Sequence, residues 1–290
     1  MGVASMPAQP LHVAMFLAAT MRTALEKGYG YNPVKQASAA IYAAHHMLGI
    51  DAGVTDHPFV VNVRNCAHRL LDVRQGERRK EPVPLSLCIL CVQRLMSTPC
   101  VYSQQISAFI MLSFTAMLRH DDTTHIRQQD IKILKDHMQV HIPGRKNDQF
   151  RHGSTVHVAR GQSLACPVRL IEALMAGGSD SAPLFRELVG IEKKDVHMIT
   201  RHSSTPWSYN QARSVVLGEL AATAGLTPTK FRLSFGLHSF RSGGATAAAE
   251  AGAPADLLQA HGGWRNPKSM QVYVKRSKTA LLTTTKTMAY

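Results

Sequence analysis

Acidic residues are scarce in this sequence. In 290 residues, 19 Asp and Glu stand against 33 Lys and Arg, which gives a formal net charge of +14 with histidine neutral. An excess of this size favours a polyanionic partner, with nucleic acid first and an anionic membrane surface second. The alternative is a basic but otherwise ordinary soluble protein, because hydrophobic residues make up 45% of the chain, as in globular proteins.

Long apolar runs are also missing. No run reaches the roughly 18 residues of a membrane span. The apolar stretch Val13–Ala19 follows no basic region, as a signal peptide would, and the start MGVASM lacks the Ser or Thr of a myristoylation motif at its sixth position. We therefore expect an intracellular protein that does not act in a membrane.

Cysteine and clustered metal ligands are sparse. Of five cysteines, Cys88 and Cys91 form a CxxC, but no second pair follows, and their apolar setting LSLCILCVQRL predicts buried, reduced thiols. The 15 histidines show no two-pair ligand spacing. The loop GYGYNP lacks the Lys-Ser/Thr of a phosphate loop and the third Gly of a dinucleotide loop. These absences disfavour metal, thiol-redox and nucleotide-cofactor chemistry.

The apolar spacing predicts two domains. After a loose terminus at 1–10, residues 11–73 show three- and four-residue apolar periodicity and form a small helical domain. The segment 74–84, RQGERRKEPVP, is charged and proline-containing, and reads as a linker whose basic residues can follow a phosphate backbone. Residues 85–290 form the second domain, with predicted helices at Leu85–Met96, Ser103–Met117, Pro167–Ala176 and Ser208–Ala224.

One segment of the second domain has the period of a sheet. The sequence ILKDHMQVHIPGRKNDQFRHGSTVHVAR alternates apolar and polar residues on both sides of a turn-rich centre. It predicts a β-hairpin or small meander with Arg145 and Lys146 near the turn. The fold class predicted for the whole chain is therefore mainly α with a small β-hairpin or sheet, in two domains.

The C-terminal region contains a spaced set of chemically active residues. His238 and Arg241 lie three residues apart on a predicted helix and share a face. His261 follows twenty residues after Arg241, in the sequence HGGW. Asn266 and Pro267 suit the start of a last helix, which we expect to carry Tyr273 about two turns in.

These residues resemble a known family. HSFRSGGAT, the downstream HGGW and the Tyr of VYVKRS are similar to the C-terminal signature of the tyrosine recombinases, or phage-integrase family. Upstream, MLRHDD places Arg119 where the family carries its first catalytic Arg, with Asp122 where a Glu is frequent, and GRKNDQ places Lys146 at the family's β-strand Lys. The start, PLHVAMFLAA with IYAAHHMLGI, is similar to the family's core-binding domain. The details look most like recombinases of eukaryotic mobile elements, the DIRS-like and crypton-like group.

The resemblance implies a reaction and a role for each residue. Tyr273 would attack a DNA phosphodiester and form a 3′-phosphotyrosyl bond, which stores the bond energy so that no cofactor or metal is needed. Arg119 and Arg241 would hold the phosphate oxygens, because planar guanidinium forks suit them. His238 would assist deprotonation of Tyr273. The resemblance gives Lys146 the role of general acid and His261 that of hydrogen-bond donor to a phosphate oxygen, while Trp264 is expected to be a packing anchor.

The same resemblance implies partners and leaves alternatives. We expect double-stranded DNA bound in a clamp of both domains and a homo-tetramer on DNA, with a monomer possible when the protein is free. The DNA would lie in the nucleus of a eukaryotic host or otherwise in the cytoplasm. Basic residues expected to contact DNA are Arg78, Arg79, Lys80, Arg145, Arg265 and Lys275. The alternatives are a catalytically inactive DNA-binding relic or regulator, a type IB topoisomerase-like enzyme, and a binder of another polyanion.

A metal-dependent nuclease is the competing chemistry. Its carboxylates would be Asp121, Asp122 and Asp130. Asp121 and Asp122 are adjacent, however, so they point to different sides of a helix or turn. We therefore expect no metal site.

Overall fold

A computed structural model describes residues 6–72, 80–145, 152–176, 181–188, 205–275 and 282. The chain divides into two compact units, 1–79 and 80–290. The first unit contains a short 3-10 helix at Ala52–Asp56 and the helices α1 (Pro10–Glu26), α2 (Asn32–Met47) and α3 (Pro58–Asp72). Its core is an apolar cluster built mainly from one side of α1 and α3, including Leu17, Val60 and Leu71. That this unit is a core-binding domain stays a prediction.

The second unit is helical around a small sheet. Its helices are α4 (Leu85–Met96), α5 (Val101–Thr115), α6 (His120–His125), α7 (Pro167–Met175), α8 (Tyr209–Thr223), α9 (Pro228–Ser234), α10 (Ser239–Glu250), α11 (Ala255–Gly262) and α12 (Pro267–Gln271), and its strands are β1 (Ile131–Ile133), β2 (His137–Ile142) and β3 (Ser154–Ala159). The predicted fold class, mainly helical with a small sheet, is confirmed. None of the described helices is both long and apolar enough to cross a membrane.

Helix α5 is the centre of the second unit. Every residue from Gln105 to Phe114 is buried, so the helix is enclosed on all sides, as expected of a helix that is apolar all round. It packs against α4, α7 and α10. The Phe109 ring makes edge-to-face contacts with Phe185, Trp207 and Phe240, at centroid distances of 5.4, 5.2 and 6.4 Å. The helix therefore fixes the position of its neighbour α10, which begins with the sequence HSFR.

The sheet has the alternation that the sequence predicts. Its three strands are antiparallel in the order β1-β2-β3, with Val140 of β2 opposite Ile131 and Val156. Val140 and Val156 are buried, while His141 and His157 are exposed, because successive side chains of a strand point to opposite faces. The turn between β2 and β3 lies partly outside the described residues, and Lys146 is within that gap.

The buried cysteines behave as the apolar context predicts. Cys88 and Cys91 are free and buried in the core of the second unit. Burial raises the pKa of both thiols, since the thiolate loses its hydration there. They are inert core residues at neutral pH.

The Gly-Gly pair of α10 allows close helix packing. A Cβ on Gly243 would overlap the carbonyl oxygen of Val83, and one on Gly244 would overlap the carbonyl oxygen of Phe114. Both obstacles are backbone atoms, which cannot rotate away as a side chain can. The small residues therefore set the distance between α10 and the end of α5.

We predict that Gly244→Ala lowers the free energy of unfolding by about 1–3 kcal/mol, the usual cost of overpacking a core. Gly218→Ala is the matched control, because Gly218 lies inside α8 with open space around it. That change should instead stabilise by about 0.5–1 kcal/mol through helix propensity. Chemical denaturation of both variants checks this, and equal effects would contradict the packing account.

Candidate active site

Two of the predicted C-terminal residues, His238 and Arg241, lie against Tyr273. The Tyr273 hydroxyl lies 3.0 Å from His238 Nε2, and the two rings are 5.2 Å apart between centroids. His238 is the N-cap residue of α10, and Arg241 follows in its first turn. Residues separated by 35 positions in sequence are thus joined by a direct hydrogen bond.

Tyr273 does not lie inside a helix, contrary to the sequence prediction. Helix α12 starts as expected, with Asn266 Oδ1 accepting from Ser269 N at 2.8 Å, but it ends at Gln271. Tyr273 is in the turn that follows. The reason is tertiary: Thr246 Oγ1 of α10 donates to the Tyr273 carbonyl at 3.3 Å and accepts from Lys275 N at 3.0 Å. These bonds bind the backbone around Tyr273 to α10 instead of continuing the helix.

Arg241 is buried beneath this turn. Its guanidinium donates to the carbonyl of Met117 and, at 2.8 Å, to the carbonyl of Gly262. It lies 4.2 Å from the centre of the Trp264 ring and 5.2 Å from that of Tyr273. Burial, together with nearby arginines, lowers its pKa to about 10, so it remains protonated at neutral pH.

Met117 has an unusual backbone that serves this contact. Its φ is 50°, in the left-handed region that non-glycine residues seldom adopt. The turn that it makes after α5 leads into Arg119 and directs the Met117 carbonyl toward Arg241. Backbone strain of this kind tends to occur at functional sites.

Arg119 and Asp122 lie at the start of α6, and the charge of Arg119 lowers the pKa of Arg241 beyond the effect of burial. Arg119 is the N-cap residue of α6, and Asp122 Oδ2 accepts from its backbone N–H at 3.1 Å and lies 3.8 Å from its Nη1. Asp122, the residue at the position where the family often has Glu, is therefore an N-terminal cap and counter-charge. Within the described residues, buried Arg119 Nη1 and Arg241 Nε have no hydrogen-bond acceptor. Unused donors on two neighbouring cations suit an anion.

His261 is held by α5. Its Nε2 lies 2.8 Å from the carbonyl oxygen of Thr115, so the ring donates there and its tautomer is fixed. Burial lowers the pKa of His261, and the charges of Arg145 and His157 act in the same direction. With Nε2 bound to Thr115, donation to a phosphate oxygen would need the other ring nitrogen. That role stays a prediction.

The basic residues that the sequence predicts to contact DNA have different environments in the structure. Arg145 is buried, and its guanidinium contacts Gly262, His261 and Ser154. Lys80 Nζ donates to the carbonyl of Leu233 at 2.9 Å. Lys275 forms an ion pair with Glu81. Arg265 is exposed, and Arg78, Arg79 and Lys146 lie outside the described residues.

The HGGW motif is explained by packing. A Cβ on Gly262 would overlap the Trp264 ring, and Trp264 is buried against Arg241, which confirms it as a packing anchor. Gly263 has a φ of 64° and ends α11, and its missing Cβ leaves space for the Arg145 guanidinium. No pattern in the sequence indicates the parts played by Thr246 or by the carbonyl groups of Met117 and Gly262, since neither a lone Thr nor a backbone atom forms a motif.

The carboxylates do not assemble into a metal site. Among the described residues, no group of three or more His, Cys, Asp or Glu has the arrangement that could hold a metal ion. Asp122 is buried and Asp121 is exposed, so the two adjacent side chains point apart.

Three histidines near the site are expected to make the stability of the fold depend on pH. Burial lowers the pKa of His120, His238 and His261 in the folded chain, although part of His238 is open to solvent. In the unfolded chain these histidines have the ordinary pKa of about 6.5. At a pH between the folded and the unfolded pKa of a histidine, the unfolded chain therefore binds more protons than the folded chain. Stability is then fully present above pH of about 6.5 and is lost as pH falls toward the folded pKa.

We predict that the free energy of unfolding decreases as pH is lowered from 7.5 to 5.5, measured by urea denaturation. In His261→Gln, which keeps a donor for Thr115, the decrease should be smaller because one titrating group is gone. An unchanged slope in that variant would contradict the assignment.

Comparisons with known proteins identify the family and the fold. Residues 91–280 match the phage integrase family. The fold is similar to that of the Tn1549 transposon integrase in complex with circular intermediate DNA, at 15% identity and a TM-score of 0.58 over 96% of this chain and 85% of that chain. It is also similar to a lambda integrase dimer bound to a COC′ core site, at 14% identity and a TM-score of 0.57 over 90% and 64%.

A third similar structure is the XerH site-specific recombinase bound to a palindromic difH substrate, a post-cleavage complex. It is 12% identical, with a TM-score of 0.58 over 95% of this chain and 71% of that chain. No curated protein shows significant sequence similarity. Identities this low establish the fold alone, but the family match covers more than half of the sequence. The chain belongs to the phage integrase family, the tyrosine recombinases.

Proposed function

We propose that the protein is a site-specific recombinase that cleaves and rejoins DNA through a 3′-phosphotyrosyl bond to Tyr273. The observation that carries the proposal is the 3.0 Å contact between the Tyr273 hydroxyl and His238 Nε2, beside two arginines with unused buried donors. A tyrosine hydroxyl, a histidine nitrogen and two arginines thus lie together, which supports this chemistry.

The proton acceptor has suitable chemistry. A free tyrosine has a pKa of about 10 and is a weak nucleophile at neutral pH. Partial burial lowers the pKa of His238, and the charges of Arg241 and Arg119 lower it further, so the imidazole is neutral at pH 7. In the tautomer protonated at Nδ1, its Nε2 accepts the proton of the Tyr273 hydroxyl as the oxygen attacks phosphorus.

Arg119 and Arg241 would stabilise the negative charge of the reacting phosphate. As the Tyr273 oxygen bonds to phosphorus and the bond to the 5′-oxygen breaks, negative charge grows on the non-bridging oxygens. Arg119 Nη1 and Arg241 Nε are buried and have no acceptor among the described residues. We expect them to donate to these oxygens once a bound phosphate reaches them. Preorganised donors of this kind each contribute about 10²–10³ in rate. Following the family, the leaving 5′-oxygen would take its proton from Lys146, and a 5′-hydroxyl would later attack the phosphotyrosine to rejoin the strand.

The partner that fits is duplex DNA. From residue 222 onward the sequence contains nine Lys or Arg and only two acidic residues, Glu250 and Asp256. Contacts of such residues with phosphates give affinity that falls with salt. The three similar proteins described above are bound to circular intermediate DNA, to a COC′ core site and to a palindromic difH substrate. These complexes support the same partner here. Recombination of two duplexes would use a tetramer on DNA.

We predict a covalent protein–DNA adduct in the wild type and none in Tyr273→Phe. Each protein is incubated with a mixed-sequence library of nicked duplexes in EDTA, denatured and run on a gel. The nick lets the 5′-hydroxyl fragment diffuse away, which traps the intermediate.

Arg241→Lys is a second test, since a lysine lacks the planar fork and should leave only a slow reaction.

The alternatives give different results. Salt-sensitive DNA binding without an adduct in the wild type would identify an inactive DNA-binding protein. An adduct together with relaxation of supercoiled plasmids of arbitrary sequence would identify a topoisomerase-like enzyme. Sequencing the trapped library distinguishes a recombinase from a topoisomerase-like enzyme, because a site-specific recombinase should enrich one site.

Thr246→Val should slow cleavage by about 10-fold to 100-fold at saturating DNA, because loss of the hydroxyl frees the Tyr273 backbone and small misplacements are costly. Thr246→Ser keeps the hydroxyl and should retain the rate. Single-turnover kinetics on the trapped site measure both. Equal rates in the valine and serine variants would show that the bond to Tyr273 does not position the nucleophile.

A further inference from the structure

Arg145 has a side chain that the reaction outlined above does not use. The residue as a whole is only 8% exposed, which is unusual for arginine unless the charge is paired. Three groups accept from it: Ser154 Oγ at 3.0 Å from Nε, the His261 carbonyl at 3.5 Å from Nη2, and the Gly262 carbonyl from Nη1. A surface contact to DNA phosphate would not need this arrangement.

The Gly262 carbonyl is shared by two cations. It accepts from Arg241 Nη2 at 2.8 Å and from Arg145 Nη1. Arg145 lies in the turn three residues after β2, Ser154 is the first residue of β3, and Gly262 is the last residue of α11. The guanidinium therefore joins the sheet to the helix end that presents His261 and supports Arg241.

The surrounding backbone is shaped for the guanidinium. Gly263 has a φ of 64°, which suits glycine, and an added Cβ there would overlap Arg145 Nη1. The sequence HGGW thus leaves room for Trp264 at its first glycine and for Arg145 at its second. A planar fork with several donors can span such a site, and a lysine with one nitrogen cannot.

We propose that Arg145 is a positioning residue of the recombinase active site, which holds the α11 end so that His261 and Arg241 keep their reactive geometry. The proposal rests on the proposed function for its catalytic consequence. It assigns Arg145 no contact with DNA, in contrast to the expectation from sequence.

Arg145→Met is the principal test. It keeps an unbranched apolar stem and removes the charge and all donors. Cleavage of the trapped site at saturating DNA should slow by about 10-fold to 100-fold, as expected for displaced catalytic groups, while the Kd for DNA stays within about threefold. Arg213→Met is the matched control on the exposed side of α8, and it should leave the cleavage rate unchanged.

A second readout does not depend on catalysis. Arg145 and His157 are the charged or titratable groups that lower the pKa of His261 beyond the effect of burial. In Arg145→Met, the pKa of His261, followed by NMR of ¹⁵N-labelled histidine and assigned with His261→Gln, should rise. Arg145→Lys restores a charge without the fork, so it should bring that pKa back toward the wild-type value and restore cleavage only in part.

The outcomes separate this proposal from the proposed function. If the wild type forms no adduct, the proposed function fails, and the His261 titration still tests whether the Arg145 charge lies beside His261. Weaker DNA binding in Arg145→Met, with a salt slope reduced by about one and normal cleavage at saturation, would overturn the proposal in favour of a phosphate contact. A wild-type rate with an unchanged His261 pKa would also overturn it. If Arg145→Met does not fold, Ser154→Ala removes only the Nε acceptor and should show smaller changes in the same directions.

Discussion

The site depends on the buried guanidinium of Arg241. A cation without water is strongly unfavourable unless it is hydrogen-bonded or paired, and here the compensation comes from the carbonyl groups of Met117 and Gly262 and from the face of Trp264. Met117 follows α5, whereas Gly262 and Trp264 lie together at the end of α11. Satisfying one charge therefore brings together the end of α5, the end of α11 and the ring that supports Tyr273.

Several local features follow from that requirement. The left-handed backbone of Met117 directs a carbonyl at the cation. The glycines of α10 allow the helix that carries Arg241 to approach α5 until backbone meets backbone. Gly262 contributes its carbonyl and, by lacking a side chain, leaves room for Trp264. The small-residue sequences around Arg241 and His261 are thus consequences of placing a charge inside a core.

The same region concentrates positive charge. Burial lowers the pKa of both Arg145 and Arg241, and the charge of Arg119 lowers both further. Arg145 also lowers the pKa of Arg241, while Asp122 acts on both in the opposite direction. Like charges this close raise the free energy of the unliganded site and favour an anion that can accept from several donors. In the proposed reaction, the phosphate of the DNA backbone is that anion, and its transition state carries more charge than its ground state. The repulsion among these arginines is therefore relieved more by the transition state than by the ground state, which favours catalysis.

Much of this protein is determined by local sequence. Alternation of apolar residues in 133–160 predicted the sheet, and apolar periodicity predicted α4, α7 and α8 to within a residue or two, because these signals depend on neighbours in the chain. The spacing of His238, Arg241, His261 and Tyr273 predicted the family. Tertiary structure decided the remaining features: α12 stops before Tyr273 because Thr246 binds its backbone, and Arg145 is buried because its acceptors lie on β3 and α11. A hydrogen bond between segments that are distant in sequence leaves no periodic pattern in either one, so only the folded chain shows which donor meets which acceptor.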